Sequence, residues 1–425
     1  MTFKRTTLEE TLAVSPLLVL DGAMSTPLEN MGIDLNTKLW TAKVLADQPE
    51  MVKQVHKNYF KAGADCGITC SYQATVPGLM DIGYTKEQAE ELIAKSVEIF
   101  LEAREEWWQE EGEKAGHTWP LCLASVGPYG AYLADGSEYR GHYEVSEETL
   151  YEFHKHRMEL LWEAGADLLL LETQPSLREA LVEAKIAEEM GADYWISFSC
   201  GDDKHINEGT KIAECARAFS RDPHKYPHLK MIGVNCTKPA YIVSLIREFR
   251  TATDLPIAVY PNSGEEYDPV TKTWHGTNDK RTFYDYALSY FQNGATAVGG
   301  CCTTVESHIR QVTQARRDFE KAGIILKMRK MVKKPLAISV PKWYVVSNKS
   351  ETWIHLHFGA ANSAPHTLLF LTLLFSSFTF LSFTLPVPQG TRKAMTHLHG
   401  SSLFLLPTAA RRGAEYKPQK HCSTR

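Results

Sequence analysis

The first 330 residues of this 425-residue chain predict a (β/α)₈ barrel, on three observations. A joint of nearly fixed composition recurs along the chain. A short apolar run follows each joint. About eight such runs can be counted, with helix signals between them.

The joint reads as an amphipathic stretch ending at a glycine. Lys61-Ala-Gly-Ala-Asp65 leads into Cys-Gly-Ile-Thr-Cys, and Glu163-Ala-Gly-Ala-Asp167 into Leu-Leu-Leu-Leu-Glu. Glu189-Met-Gly-Ala-Asp193 leads into Tyr-Trp-Ile-Ser-Phe, and Asn293-Gly-Ala-Thr296 into Ala-Val-Gly-Gly. Glycine after a helix takes the left-handed cap conformation without a Cβ clash. The run that follows is of strand length and does not alternate, as expected of a strand buried on both faces.

Strands are predicted near 17–20, 66–70, 121–126, 167–171, 194–199, 230–235, 256–260 and 296–299. Between them, Thr85-Lys-Glu-Gln88 and Ser176-Leu-Arg-Glu179 both read as capping boxes that start helices. An open doubly wound sheet would show a glycine fingerprint after its first strand. Asp21-Gly-Ala-Met24 stands there instead.

The bulk numbers agree with a soluble globular protein of one large domain or two to three smaller ones, able to bury a large core: 44% of residues are hydrophobic and 23% charged. A net charge of -5, with no long basic patch in the main body, argues against a nucleic-acid partner. Nine cysteines, an odd number, in a chain whose first ten residues are polar point to reduced thiols and a cytoplasmic protein.

The C-terminal extension is different material. Residues 335–425 hold nine Lys or Arg and two acids, a balance of +7 against -12 for the rest. Leu368 to Leu385 carries no charge but is rich in Ser, Thr and Phe, a poor membrane span. The expected division is therefore a barrel over 1–330 and an atypical tail over 331–425. The tail reads foremost as a disordered or spurious extension, with a partner-binding appendage and a membrane anchor as the lesser readings.

Chemistry concentrates at two predicted strand ends. Cys236 closes Met231-Ile-Gly-Val-Asn-Cys, and Cys301 and Cys302 close Ala297-Val-Gly-Gly-Cys-Cys. The carboxyl ends of barrel strands all open on one face, which carries the active site. Three thiols from strands six and eight can therefore meet there. Three thiolates suit Zn2+ and leave its fourth position open, as in a catalytic site. A vicinal pair is a poor disulfide, because the ring it closes is strained. Cys66, Cys70, Cys122, Cys200 and Cys215 read as small buried hydrophobes.

Around these positions the chain resembles the zinc-binding homocysteine S-methyltransferases, over roughly residues 14–320. The resemblance rests on Leu20-Asp-Gly-Ala-Met24, Leu39-Trp-Thr-Ala-Lys43, Ser71-Tyr-Gln-Ala-Thr75, Ser125-Val-Gly-Pro-Tyr-Gly-Ala-Tyr-Leu-Ala-Asp-Gly-Ser-Glu-Tyr-Arg-Gly141, Glu172-Thr-Gln-Pro175, Gly233-Val-Asn-Cys236, Val259-Tyr-Pro-Asn-Ser-Gly-Glu265 and Gly299-Gly-Cys-Cys-Thr-Thr304. It implies a (β/α)₈ barrel with Zn2+ on Cys236, Cys301 and Cys302. It also implies methyl transfer from a sulfonium donor, S-methylmethionine or S-adenosylmethionine, to the thiol of L-homocysteine. Asp21 and Glu172 would bind the amino group of homocysteine, and the backbone of Gly22 and Ala23 its carboxylate. Asn235 would orient the pocket or serve as a resting ligand. Tyr72, Gln73 and the loop from Tyr129 to Tyr139 would line the sulfonium side, where aromatic faces attract a cation. Glu172-Thr-Gln departs from the Glu-Thr-Leu or Glu-Thr-Met of many relatives, and no cobalamin or folate domain is present. The residues alone leave one rival enzyme, a barrel that uses Gly299 and Gly300 to hold a phosphorylated substrate.

Overall fold

In the computed structural model, residues 5–35, 40–220, 224–264, 266–268, 273–275, 279–333, 344–348, 351–358 and 369–375 are described. Eight parallel strands form the centre: β1 (Leu18–Val19), β2 (Cys66–Ile68), β3 (Leu121–Val126), β4 (Leu168–Gln174), β5 (Tyr194–Phe198), β6 (Leu229–Asn235), β7 (Ile257–Tyr260) and β8 (Ala297–Val298). They pair in the order β1-β8-β7-β6-β5-β4-β3-β2. The ring closes between β1 and β2 through a parallel bridge at Leu20 and Cys66. Asp65 N donates to Val19 O at 2.7 Å and Asp21 N to Cys66 O at 3.1 Å. All eight predicted strands are present, and helices alternate with them.

β4 shows why its leucine run does not alternate. Leu168 and Leu170 pack inside the barrel with Leu18, Leu123, Trp195 and Tyr260. Leu169 and Leu171 pack outward against the helix layer. Both faces are dry, so both are apolar. Leu8, on the helix Leu8–Val14, joins the inner cluster and plugs the amino-terminal end of the barrel.

The recurring joints behave as predicted. Gly63, Gly165, Gly191 and Gly294 have φ of 105°, 106°, 63° and 102°. The aspartates after two of them brace the floor of the barrel. Asp65 accepts from Val19 N at 2.8 Å and pairs with Arg316. Asp167 accepts from Cys122 N at 2.8 Å and pairs with Arg104. Each carboxylate thus ties its own strand to the strand on its β1 side.

One of the two predicted capping boxes forms. Thr85 accepts from Gln88 N, and the Gln88 side chain returns the bond to Thr85 N. Ser176 makes no cap hydrogen bond, which corrects the second expectation. The physical reason is that Glu179, the would-be partner, is drawn into a buried network with Tyr129, Tyr143 and His154.

The chain separates into two compact units, Met1–Ile325 and Leu326–Arg425. In the second, strands Tyr344–Asn348, Glu351–Phe358 and Leu369–Phe375 form an antiparallel sheet. The apolar run from Leu368 therefore contributes a strand, and its remainder, residues 401–406, the basic end and Cys422 lie outside the described residues. Among the described residues no helix is long and apolar enough to cross a membrane.

Candidate active site at the barrel mouth

Cys236 follows β6 directly, in a left-handed backbone conformation with φ of 47°. A residue with a Cβ rarely adopts that conformation, and strain of this kind is held only where surrounding structure fixes it. Cys301 and Cys302 follow β8 after Gly299 and Gly300. Their turn is pinned: Cys301 N donates to Pro261 O at 2.7 Å, Ser263 N to Cys302 O at 3.1 Å, and Thr304 Oγ1 to Cys301 O at 2.6 Å.

These turns bring the three sulfurs together. Cys236 Sγ lies 2.7 Å from Cys301 Sγ and 3.5 Å from Cys302 Sγ. Charge is shared unequally among them. Hydrogen bonds from Cys236 and Cys301 hold Cys302 well below the ordinary thiol range. Hydrogen bonding to Cys236 and Cys302, together with burial, pushes Cys301 well above it. Protein groups alone thus stabilise one thiolate here and resist a second. The three sulfurs lie within ligand distance of one another, a donor set that a thiophilic divalent ion fits.

A cavity of about 160 Å³ opens in front of the sulfurs, lined among others by Gly22, Ala23, Tyr72, Tyr139, Glu172 and Tyr260. Glu172, at the end of β4, accepts from Ser125 Oγ and from Asn235 Nδ2 at 3.4 Å. Burial pushes its carboxyl up to about 7. Asp21 sits directly behind the lining. Its Oδ2 accepts from Ile68 N at 2.8 Å, whereas Oδ1 is buried without a hydrogen-bond partner. Burial, opposed by the bond from Ile68 N and reinforced by Glu172, raises Asp21 well above the usual carboxylate range. Burial thus holds both carboxyl groups toward their neutral form.

The remaining expected residues are placed as follows. Ala23 N already donates to Thr304 Oγ1 at 3.2 Å, so one of the two backbone amides assigned to a carboxylate is engaged. Asn235 is fully buried and bridges the two halves of the site, with Nδ2 2.7 Å from Thr173 Oγ1 and 3.9 Å from Cys301 Sγ. Its Oδ1 accepts from Thr173 N at 2.9 Å. Tyr72 and Tyr139 face the cavity; Gln73 is not among its lining residues. Tyr139 Oη lies 3.7 Å from Cys236 Sγ. Leu39 and Glu265 of the quoted motifs fall outside the described residues.

Three contributors carried no role in the sequence reading: Ser125, Thr173 and Tyr260. Hydroxyl residues at strand ends are too common to single out, and only the fold shows them converging on Glu172 and Asn235. The Gly299-Gly300 pair is not a phosphate cradle, since Gly299 N donates to Val259 O at 3.1 Å and Gly300 N to Asp21 O at 3.0 Å. A larger cleft, about 680 Å³, lies at the opposite end of the barrel beside Leu229 and Pro256 and holds none of these groups.

Comparison with known proteins agrees with this geometry. The family model for homocysteine S-methyltransferase matches residues 18–316. The chain is 47% identical to homocysteine S-methyltransferase YbgG of Bacillus subtilis, over 74% of this chain and 98% of that protein. It is 43% identical to the homocysteine S-methyltransferase of Escherichia coli, over 69% and 93%. The crystal structure of the Escherichia coli homocysteine methyltransferase MmuM in its metallated form superposes with a TM-score of 0.64 at 38% identity, covering 72% of this chain and 98% of that one. With a model match across the whole barrel and relatives above 40% identity, the chain belongs to the homocysteine S-methyltransferase family.

Proposed function

We propose that the chain transfers a methyl group from a sulfonium donor, S-methylmethionine or S-adenosylmethionine, to the thiol of L-homocysteine, with Zn2+ held by Cys236, Cys301 and Cys302. The observation that carries the reading is the placement of three converging sulfurs and the buried Glu172 carboxyl on one small cavity, with the half-partnered Asp21 carboxyl behind its wall. That placement matches an amino acid bearing a thiol at one end and an ammonium at the other.

The protein groups divide the work. Asp21 and Glu172 take the α-ammonium, whose charge draws both carboxyl groups into their ionised form. Asn235 holds Glu172 in register with the cysteines. When bound, zinc supplies Lewis acidity that keeps a thiol sulfur anionic near neutral pH, where a free thiol with a pKa near 8.5 is mostly protonated. The acceptor sulfur forms a bond to the methyl carbon as the bond from that carbon to the sulfonium sulfur breaks. The electron pair stays with the departing sulfur, which leaves as a neutral thioether. No proton moves at the methyl carbon, so the protein supplies position and electrostatics. Tyr72 and Tyr139 offer ring faces to the approaching cation.

The reduced cysteines fit a cytoplasmic setting, and activity is assigned to residues 1–330, with the tail outside the catalytic unit. The test is methyl transfer from each labelled donor by the full chain and by a chain ending at residue 330. Labelled methionine from both chains supports the reading. No product above the enzyme-free blank with either donor would sink it, and activity of the full chain alone would refute the assignment to 1–330.

A further inference from the structure

The loop after β3 brings Tyr139 Oη to 3.7 Å from Cys236 Sγ, and it is held at its ends by groups that do not line the cavity. Glu179, on the helix Leu177–Met190, accepts from Tyr129 N at 2.6 Å and from the Tyr143 hydroxyl. One carboxylate thus grips two points of the loop fourteen residues apart in sequence. His154, on the helix Glu147–Glu163, sits 2.7 Å from the same carboxylate through Nε2. Its Nδ1 accepts from Arg157 Nη2 at 2.7 Å, and Arg157 also donates to Gly127 O, where the loop begins. Glu183 Oε1 also stands 3.0 Å from Nδ1, so Nδ1 faces a guanidinium donor and a carboxyl group while Nε2 faces Glu179.

We propose that Glu179, His154 and Arg157 form a buried clasp that positions the 127–143 loop, setting Tyr139 over Cys236 and thereby shaping the donor side of the cavity. Four facts support it. Glu179 and His154 are fully buried and Arg157 nearly so, which is costly for polar groups in a helix interface that apolar side chains could fill. Every loop contact of the clasp falls at a loop end and none at its tip. Within the loop, a Cβ on Gly130 would strike the backbone of Ser137 and Glu138, so the tip folds tightly back on the clasped segment. At the tip, Tyr139 Oη reaches Cys236 Sγ at 3.7 Å. His154, Glu179 and Glu183 also have metal-ligand spacing, and the Arg157 guanidinium, 2.7 Å from His154 Nδ1, already supplies positive charge to that cluster. These three are positioning residues, and the donor-side part of the proposal rests on the methyltransferase reading above.

The test uses Tyr143→Phe, which keeps the ring and removes one grip, and Glu179→Gln, which weakens both. The first readout is the rate of Cys236 alkylation by iodoacetamide after chelator treatment, mapped by peptide mass spectrometry, with buried Cys215 as the control for intact folding. The second is KM for each substrate. A released loop should raise Cys236 alkylation and donor KM by up to about tenfold, with Cys215 labelling and homocysteine KM within about twofold of wild type. Cys236 labelling at the wild-type rate in both variants would overturn the clasp, as would Cys215 labelling that rises in step with it. If wild type shows no methyl transfer, the labelling readout alone decides the clasp, so the two failures are distinguishable.

Discussion

Asn235 and Glu172 meet across two strands, with Asn235 Nδ2 3.4 Å from Glu172 Oε2. The same amide lies 3.9 Å from Cys301 Sγ, so one side chain spans from the Glu172 carboxyl to the cysteine cluster. Asn235→Ala strips Thr173 N of its acceptor in a fully buried position. The expected cost is about 1–3 kcal/mol of folding stability together with a raised homocysteine KM. Denaturant unfolding and steady-state kinetics check both; unchanged stability would mean that water replaces the amide.

Glu172 gives a pH prediction. Burial raises its folded-state pKa from 4.5 to about 7. A raised folded pKa means its contribution to stability is present below about 4.5 and is lost as pH rises toward 7. Substrate binding runs the other way, because an ammonium needs the ionised carboxylate. Homocysteine affinity should therefore rise between about pH 5 and pH 7.5, and Glu172→Gln should flatten that rise. Calorimetric titration across this range measures it, and an equal slope in the variant would show that another group titrates.

The floor of the barrel should matter for stability and not for chemistry. Asp167→Ala leaves Arg104 buried and unpaired and frees Cys122 N. Breaking such a pair from one side costs about 3–5 kcal/mol. Thermal unfolding should show a large drop, while KM for both substrates at a temperature where the variant is folded stays within about twofold of wild type. A shifted KM would place the floor in communication with the mouth.

Two serine- or threonine-led helix starts should respond differently to the same change. Thr85→Ala removes a working capping box and should cost about 0.5–2 kcal/mol. Ser176→Ala removes a hydroxyl that makes no hydrogen bond and should be close to neutral. Paired denaturant curves decide it, and equal losses would contradict the capping assignment.

These cases show what the sequence carries and what it does not. The helix-to-strand joints were legible because glycine at a left-handed cap and a two-faced apolar strand leave a local mark, as at Gly63 and Leu168–Leu171. Cys236, Cys301 and Cys302 were legible because strand ends are a position the barrel gives a meaning. Ser176 misled because a capping box is a local pattern, and Glu179 answers to a tertiary contact instead. The clasp was hidden for the same reason. His154, Arg157 and Glu179 occupy helices whose polar residues mostly face water, and only packing shows that these three do not. The aspartates of the joints stand out in the sequence as a repeat, but their bonds to the adjacent strand exist only once the ring is closed.

The central claim is that the three sulfurs hold a metal the reaction requires. The direct measurement is zinc content and methyl transfer to homocysteine on the same preparations of wild type and Cys302→Ser, with both sulfonium donors. The account predicts about one zinc per chain in the wild type, with metal and turnover lost together in the variant. Turnover that persists in metal-free protein would contradict it and leave the convergence of the cysteines without a catalytic role.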